Sequence, residues 1–431
     1  MSSSSTALRQ FLKEASSLAD EKPPQQRVVV LGNESGDLDS VAASIALSFL
    51  LASSNDSSTP QMFAGITVSR NSVLPVLNFR REDITLRKDV SYVLAEAGID
   101  ISYVVCIDDI SLQQFASDRL LQLLLVDHNV LCPSQAYAAA HVIACVDHHA
   151  DSLQEASPQR CIRSVGSCCS IVTDLFAQHP QLGSVAFLLA AAITIDTKNL
   201  TSPVTTDTDV SAMRCLRAHL DSFDDARAGE IFLQLQQLRQ DVSGLAVSQL
   251  FLKDMKQFLL PCGVTITFSS LPVPITTLGA LDRSWTSSVL DLILARGWHA
   301  LLALSSVDPA SGLRSVAILA RDDAAAARVC HLLRNYCFEL NTVADAGGHR
   351  IGLRNQIGNS WRHAACRLRF AMGGQDSIAE RSCCKPKVTI AGMLAVAFFQ
   401  MLLAHATTDS LVTQLLELHL QDCPASFFIS E

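Results

Sequence analysis

Short aliphatic runs alternate with longer stretches of helical spacing between residues 27 and 216. Runs at 28–31, 103–107, 123–126, 142–146 and 191–195 are almost continuously apolar, the pattern of strands covered on both faces. Residues 40–51 carry Val41, Ile45, Leu47 and Phe49 at helical spacing, with Asp39 where an N-cap belongs. This rhythm predicts βαβ units and therefore an α/β fold, a doubly wound, mainly parallel sheet over 27–216. The polar start, 1–26, reads as a flexible arm. The charged segment 217–243 reads as a helical linker. A second, smaller α/β domain with a mixed sheet is expected over 244–431, with strands at 264–268, 300–304 and 314–320 and helices at 324–335 and 389–405.

Four of the apolar runs end in clusters of the same chemical kind. They are Gly32-Asn33-Glu34-Ser35-Gly36-Asp37-Leu38-Asp39-Ser40, Asp127-His128-Asn129, Asp147-His148-His149 and Asp196-Thr197. In open α/β sheets ligands bind outside the carboxyl ends of the strands, so four such ends imply one shared site. Carboxylates gathered there raise one another's pKa unless cations neutralise them. Asp37 and Asp39, two residues apart, can serve two different ions, and Asp127, Asp196 and His148 supply the remaining donors. Two divalent ions about 3.5–4 Å apart form a hydrolytic centre. A single Asp beyond a strand is ordinarily a cap or turn residue, the role assigned to Asp108 and Asp109. His141, His179, His219 and His405 carry no supporting pattern and read as structural.

Composition narrows the setting. The 431 residues are 49% hydrophobic and 17% charged, which argues for packed domains and against disorder. A net charge of −9 disfavours a nucleic-acid surface, and no duplex partner is expected. Fourteen cysteines occur without a CxxC pair, and the start of the chain has no basic-then-apolar leader, so reduced thiols in a cytoplasmic protein are the reading. The apolar stretches 185–195 and 390–403 fall short of the roughly 20 residues of a spanning helix, so no membrane insertion is expected.

The order GNESGDLDS, DHN, DHH, IDT resembles that of the DHH phosphoesterase superfamily. Ser164-Val165-Gly166-Ser167-Cys168 and residues 78–87 (NFRREDITLR) are similar to its eukaryotic exopolyphosphatase and prune branch. The second half resembles the DHHA2-type domain shared with family II inorganic pyrophosphatases. The resemblance implies that Asp37 and Asp127 hold one metal, and that Asp39, Asp127, His148 and Asp196 hold the other. Asp127 would bridge, with catalysis resting on Asp127, His148 and His149, and His149 would face the substrate phosphate. His128 would lie behind the ligands. Pyrophosphatases carry His where this chain has Asn33, so that site becomes richer in oxygen, which shifts preference toward Mg²⁺ relative to Mn²⁺. Asn33 would then contact metal weakly or contact substrate.

An acidic chain needs a local basic surface to hold a polyanion. From 346 to 375 there is no Asp or Glu, while His349, Arg350, Arg354, Arg362, His363, Arg367 and Arg369 all occur. Guanidinium groups pair bidentately with phosphate. Arg354 matches the arginine of the family's phosphate-gripping signature, although Asn355 stands at its lysine position. Lys256, in Asp254-Met255-Lys256-Gln257-Phe258, resembles the family's substrate lysine. Arg350, Arg354, Lys256, Asn33 and His149 are thus the expected substrate contacts. The expectation is a monomeric exopolyphosphatase that uses two divalent ions, Mg²⁺ or Mn²⁺, to activate water against terminal phosphoanhydrides of polyphosphate. The rivals are a pyrophosphatase, a prune-like nucleotide phosphodiesterase and an inactive interaction module.

Overall fold

Six parallel strands carry the first half of the chain: β1 (Arg27–Leu31), β2 (Val73–Leu77), β3 (Val105–Cys106), β4 (Leu121–Val126), β5 (Val142–Asp147) and β6 (Gln159–Ile162). Their order is β3-β2-β1-β4-β5-β6, so the direction of winding reverses between β1 and β4. The computed structural model describes residues 3–19, 26–55, 58–66, 68, 70–152, 159–259, 265–307, 314–322 and 325, with the strands at 340–342 and 363–368. Alternate side chains enter opposite cores, as the two-residue period of a strand requires. Val28, Val30, Leu124, Val126, Ala144 and Val146 face one side. Val29, Leu31, Leu123, Leu125 and Cys145 face the other. Register then builds the site: Leu31 lies opposite Leu125, and Val126 opposite Val146. The polypeptide leaving β1, β4 and β5 therefore emerges at adjacent points on one edge.

The helices are α1 (Ser3–Ala19), α2 (Leu38–Ala52), α3 (Lys88–Glu96), α4 (Leu112–Ser117), α5 (Cys168–Leu175), α6 (Ala186–Asp196), α7 (Asp207–Arg217) and α8 (Asp225–Gln240). Helix α2 is buried at every residue but Ala52, because the sheet covers one side and α5 and α6 the other. Three expectations need correction. Residues 191–195 belong to α6 and form no strand; Ala186 and Ala190 to Ala192 favour helix, and burial on all sides erases the periodicity that would have marked it. The expected flexible arm contains α1, whose Leu8, Phe11, Leu12 and Ala15 enter the two cores. The expected linker contains α8, whose Ala228, Ile231 and Leu235 belong to the first core.

Phe11 packs edge-on against Phe49 at 5.7 Å between ring centres and is almost fully buried. Phe11→Ala is expected to cost about 3–5 kcal/mol in a denaturant titration, the usual cost of emptying an aromatic core site. A change below about 0.5 kcal/mol, the scale of a surface substitution, would return α1 to the status of a loose arm.

The second sheet is mixed: β7 (Met255–Leu259), β8 (Thr265–Ser270), β9 (Ala300–Val307), β10 (Arg314–Ala320), β11 (Leu340–Thr342) and β12 (His363–Leu368), in the order β11-β12-β10-β9-β8-β7. Among the described residues only β8 and β9 pair in parallel; the other pairs are antiparallel. Helices α9 (Val247–Leu250), α10 (Ile275–Leu281) and α11 (Trp285–Ala295) contribute Leu250, Leu278, Val289 and Ile293 to its core, which Leu86 of the first unit also enters. Apart from Ala325, the helices expected at 324–335 and 389–405 lie outside the described residues, as do Arg350 and Arg354. The strand β12 lies within the acid-free stretch. Among the described residues no helix is long and apolar enough to cross a membrane.

Candidate metal centre

The loop after β1 is shaped around Asp127. Asn33 is buried, its Oδ1 accepting from Ser35 Oγ (2.8 Å) and the Gly36 amide (2.9 Å). That fixes the direction of its amide group, which donates to Asp127 Oδ2 at 2.7 Å. Both ends of Asn33 are thus engaged within the protein, its oxygen by the loop and its amide by Asp127. Gly36 has φ +59, a left-handed turn that glycine adopts without cost. Asp127 itself has φ 62, held there by its own amide donating to Val146 O (2.9 Å). Such strain costs of order 1 kcal/mol.

The N-cap of α2 is Asp37, not Asp39: Ser40 N donates to Asp37 Oδ1 at 3.0 Å. Asp39 lies in the first turn and is held by the start of α5. It accepts from Ser167 Oγ (2.6 Å) and from the amides of Cys168 (2.7 Å) and Cys169 (3.0 Å). Helix N-termini favour anions at such a point. The segment before α5 is fixed in turn by Asp209, which accepts from the Gly166 amide (2.9 Å) and Ser170 Oγ (2.6 Å). A Cβ at Gly166 would stand 2.7 Å from Thr197 Cγ2, so the close passage needs glycine.

The two histidines after β5 have opposite duties. His148 Nδ1 lies 3.0 Å from Val165 O, and a carbonyl can only accept, so Nδ1 carries the proton. His148 Nε2 then points into the site, 3.2 Å from Asp127 Oδ1 and 3.7 Å from Asp39 Oδ2. In the neutral imidazole this sets a lone pair against two carboxylates, and only a proton or a cation bridges the gap. Asp127 Oδ1 and Asp196 Oδ2 are also buried without a hydrogen-bond donor among the described residues. Donor atoms of Asp127, His148 and His149 lie within 4.8 Å of one another. This oxygen and nitrogen set fits a hard-to-borderline divalent ion. His149 Nδ1 donates instead to the buried Asp147 Oδ1 at 2.8 Å, which leaves its Nε2 for the cleft.

The electrostatics agree with that geometry. Burial, with Asp39 and Asp37 nearby, pushes the Asp127 carboxyl well above its ordinary value. Burial and Asp39 raise Asp196 to about 8, against the pull of Arg239. Burial alone would depress His148, but Asp127 and Asp39 overcome it and hold the imidazole well above its ordinary value. His149 is depressed by burial, assisted by Lys256 and His148, against the opposing bond to Asp147. His128, with Nδ1 against Val126 O (3.0 Å), is half-buried and depressed by desolvation.

The second unit reaches the same edge through β7. Glu34 accepts from both the backbone amide and the side-chain amide of Gln257, which ties the first loop to that strand. Neighbouring Lys256 is exposed and close enough for its charge to act on His149 and Glu34. No local motif announces this tie, nor does one announce Arg239, whose Nη2 donates to Asp196 Oδ1 (3.2 Å) and Nε to Asp89 Oδ2 (3.0 Å). The structural roles given to Asp108 and Asp109 fit: they receive Arg81 N and Nε, both at 2.9 Å.

The carboxyl edge of the parallel sheet gathers Asp37, Asp39, Asp127, Asp147 and two histidines, a donor set suited to a metal centre. Residues 27–194 match the DHH family, N-terminal domain. Among curated proteins it is similar to human exopolyphosphatase PRUNE1, 31% identical over 249 residues, covering 56% of this chain and 52% of the relative. Bovine exopolyphosphatase PRUNE1 is 32% identical over 237 residues, covering 53% and 49%. The chain thus spans about half the length of these curated relatives. A candidate family II inorganic pyrophosphatase of Methanococcus jannaschii superposes with a TM-score of 0.48 at 19% identity, covering 69% of this chain and 88% of that one, too distant to bear on function.

Proposed function

We propose that this protein is a metal-dependent exopolyphosphatase that hydrolyses the terminal phosphoanhydride of inorganic polyphosphate and releases orthophosphate. The observation that carries the reading is His148 Nε2 held 3.2 Å from Asp127 Oδ1 and 3.7 Å from Asp39 Oδ2, a donor set that calls for a cation. Asp37, Asp39, Asp127, His148 and Asp196 would hold two divalent ions, Mg²⁺ or Mn²⁺, with Asp127 shared between them. When bound, such ions supply Lewis acidity and lower the pKa of water toward neutrality.

The chain's own residues do the rest. Asn33 fixes the carboxylate of Asp127, and Val165 fixes the tautomer of His148. Asp147 holds His149 so that Nε2 meets the terminal phosphate. The arriving polyanion raises the depressed imidazole, which then donates a hydrogen bond to a phosphate oxygen. Lys256 faces the same anion from β7, and Arg350 and Arg354 would continue the basic path in the DHHA2-type substrate-binding unit. The catalytic unit would extend from α1 through α8, and the protein would act as a cytoplasmic monomer.

The test is phosphate release from polyphosphate, pyrophosphate and cyclic nucleotides, each with Mg²⁺, Mn²⁺ or EDTA. Polyphosphate should be turned over fastest and EDTA should abolish the reaction; exclusive hydrolysis of pyrophosphate would favour the rival. Lys256→Ala is expected to raise KM for polyphosphate about tenfold, the scale of a lost charge-assisted contact of about 1.5 kcal/mol. An unchanged KM would remove Lys256 from the substrate path.

A further inference from the structure

The Arg239 side chain, on the last turn of α8, spans two carboxylates from two other helices, one buried (Asp89) and one half-buried (Asp196). Its Nε donates to Asp89 Oδ2 on α3 (3.0 Å) and its Nη2 to Asp196 Oδ1 at the end of α6 (3.2 Å). Asp89 is 4% exposed, so the guanidinium is anchored by one fully committed partner before it meets the second. Asp196 is left with one oxygen engaged and the other, Oδ2, buried and without a hydrogen-bond partner among the described residues. Its backbone is fixed as well. Lys198, Asn199 and Leu200 all have positive φ (50, 54 and 63), and this left-handed run stops α6 immediately after the carboxylate. Asn199 N returns to Thr194 O at 2.7 Å and seals the turn.

We infer that Arg239 is a positioning residue for the metal centre: it occupies one oxygen of Asp196 and thereby presents the other to a divalent cation. The inference rests on the reading of Asp196 as a metal ligand. A carboxylate free to rotate offers a cation either oxygen or both, and its orientation is lost on each dissociation. One whose Oδ1 is clamped by a guanidinium is prepared for single-oxygen binding. Partners of this kind are typically worth about 10–100-fold in metal affinity. A competing effect has the opposite sign, since a nearby positive charge repels a metal ion. Asp89 decides between them: it neutralises Arg239, so the pair together adds almost no net charge to the cluster.

The experiment is Mn²⁺ titration calorimetry on the full chain, without substrate, for wild type, Arg239→Ala, Arg239→Lys and the charge-balanced pair Arg239→Met with Asp89→Asn, which has no donor for Asp196. Thermal unfolding in EDTA would be followed in parallel. Orientation by Arg239 predicts that Arg239→Ala and the charge-balanced pair each weaken Mn²⁺ binding at one of two sites at least tenfold. Arg239→Lys, which retains a donor to Asp196, should recover part of the loss. Equal affinity in wild type and the charge-balanced pair, or tighter binding in Arg239→Ala, would overturn the inference. If wild type binds no Mn²⁺, the metal-centre reading fails, and the inference with it. Should Arg239→Ala unfold, the charge-balanced pair and Arg239→Lys still decide the matter, because both keep side-chain volume at position 239 and differ in whether they offer Asp196 a donor.

Discussion

Asp127→Asn should eliminate phosphate release while leaving the fold intact. Asn33 Nδ2 sits 2.7 Å from Asp127 Oδ2, so an asparagine there would turn its carbonyl oxygen toward Asn33. Its new amide would then face His148 Nε2, which stands 3.2 Å from Oδ1 and has its own proton committed to Val165. At a pH where His148 is neutral, the substitution sets a donor against its Nε2 and removes a carboxylate whose charge Asp39 and Asp37 oppose. The melting temperature in EDTA should be unchanged or raised. Activity should fall by at least about 10²–10³-fold, the scale on which a preorganised electrostatic partner of a reaction contributes. Turnover close to wild type in a well-folded Asp127→Asn protein would end the case for Asp127 as the shared ligand.

Without metal, the protein should lose stability as pH rises from about 6.5 to 8.5. Asp196 is raised from 3.8 to about 8, and Glu34 from 4.5 to about 7 by burial. Asp127 is raised further in the same direction. A carboxyl raised on folding binds its proton more tightly in the folded state. Its contribution is complete below the unfolded value and is lost as pH climbs through the folded one. His148, also raised, acts in the same direction, since its proton is favoured by folding. His149 and His128 are lowered, so their penalty appears only below about 6.5, outside the window. A tenfold difference in proton affinity between the folded and unfolded chain corresponds to about 1.4 kcal/mol, so a fall in melting temperature on the order of 5 °C is expected across the window in EDTA. Saturating Mn²⁺ should flatten that slope, because a cation replaces the protons as the neutralising charge. The same slope with and without Mn²⁺ would mean that the buried acids are not the metal's ligands.

The two effects separate cleanly in one set of proteins. Asp127→Asn tests the chemistry through loss of turnover, whereas the pH series tests the charge cluster in the wild-type chain with no substrate present. Agreement of both would tie the buried carboxylates to metal binding and to hydrolysis independently. In the pH series Asp147 contributes nothing, since His149 holds it below its ordinary value despite burial and its window lies in acid.

Residue patterning alone was enough for a parallel α/β sheet with β1, β4 and β5 and for the polar loops after them, though not for β2 or β6, because strands buried on both faces must be apolar throughout and their carboxyl ends must stop that run. It also marked Asp37, Asp39, Asp127, His148 and His149, since chemistry concentrated at strand ends departs from an otherwise aliphatic pattern. The rest depended on packing. Residues 191–195 are helical because α6 is enclosed on all sides, and enclosure removes the amphipathic period that separates helix from strand. Asn33 turned inward because Asp127, 94 residues away, offers an acceptor that no local pattern reveals. Arg239 lies 43 residues beyond Asp196 and Glu34 lies 223 before Gln257, so both ties exist only once the helices and the second sheet have packed. Local spacing encodes which groups a strand end carries; which oxygen each group presents is settled by contacts made across the folded chain.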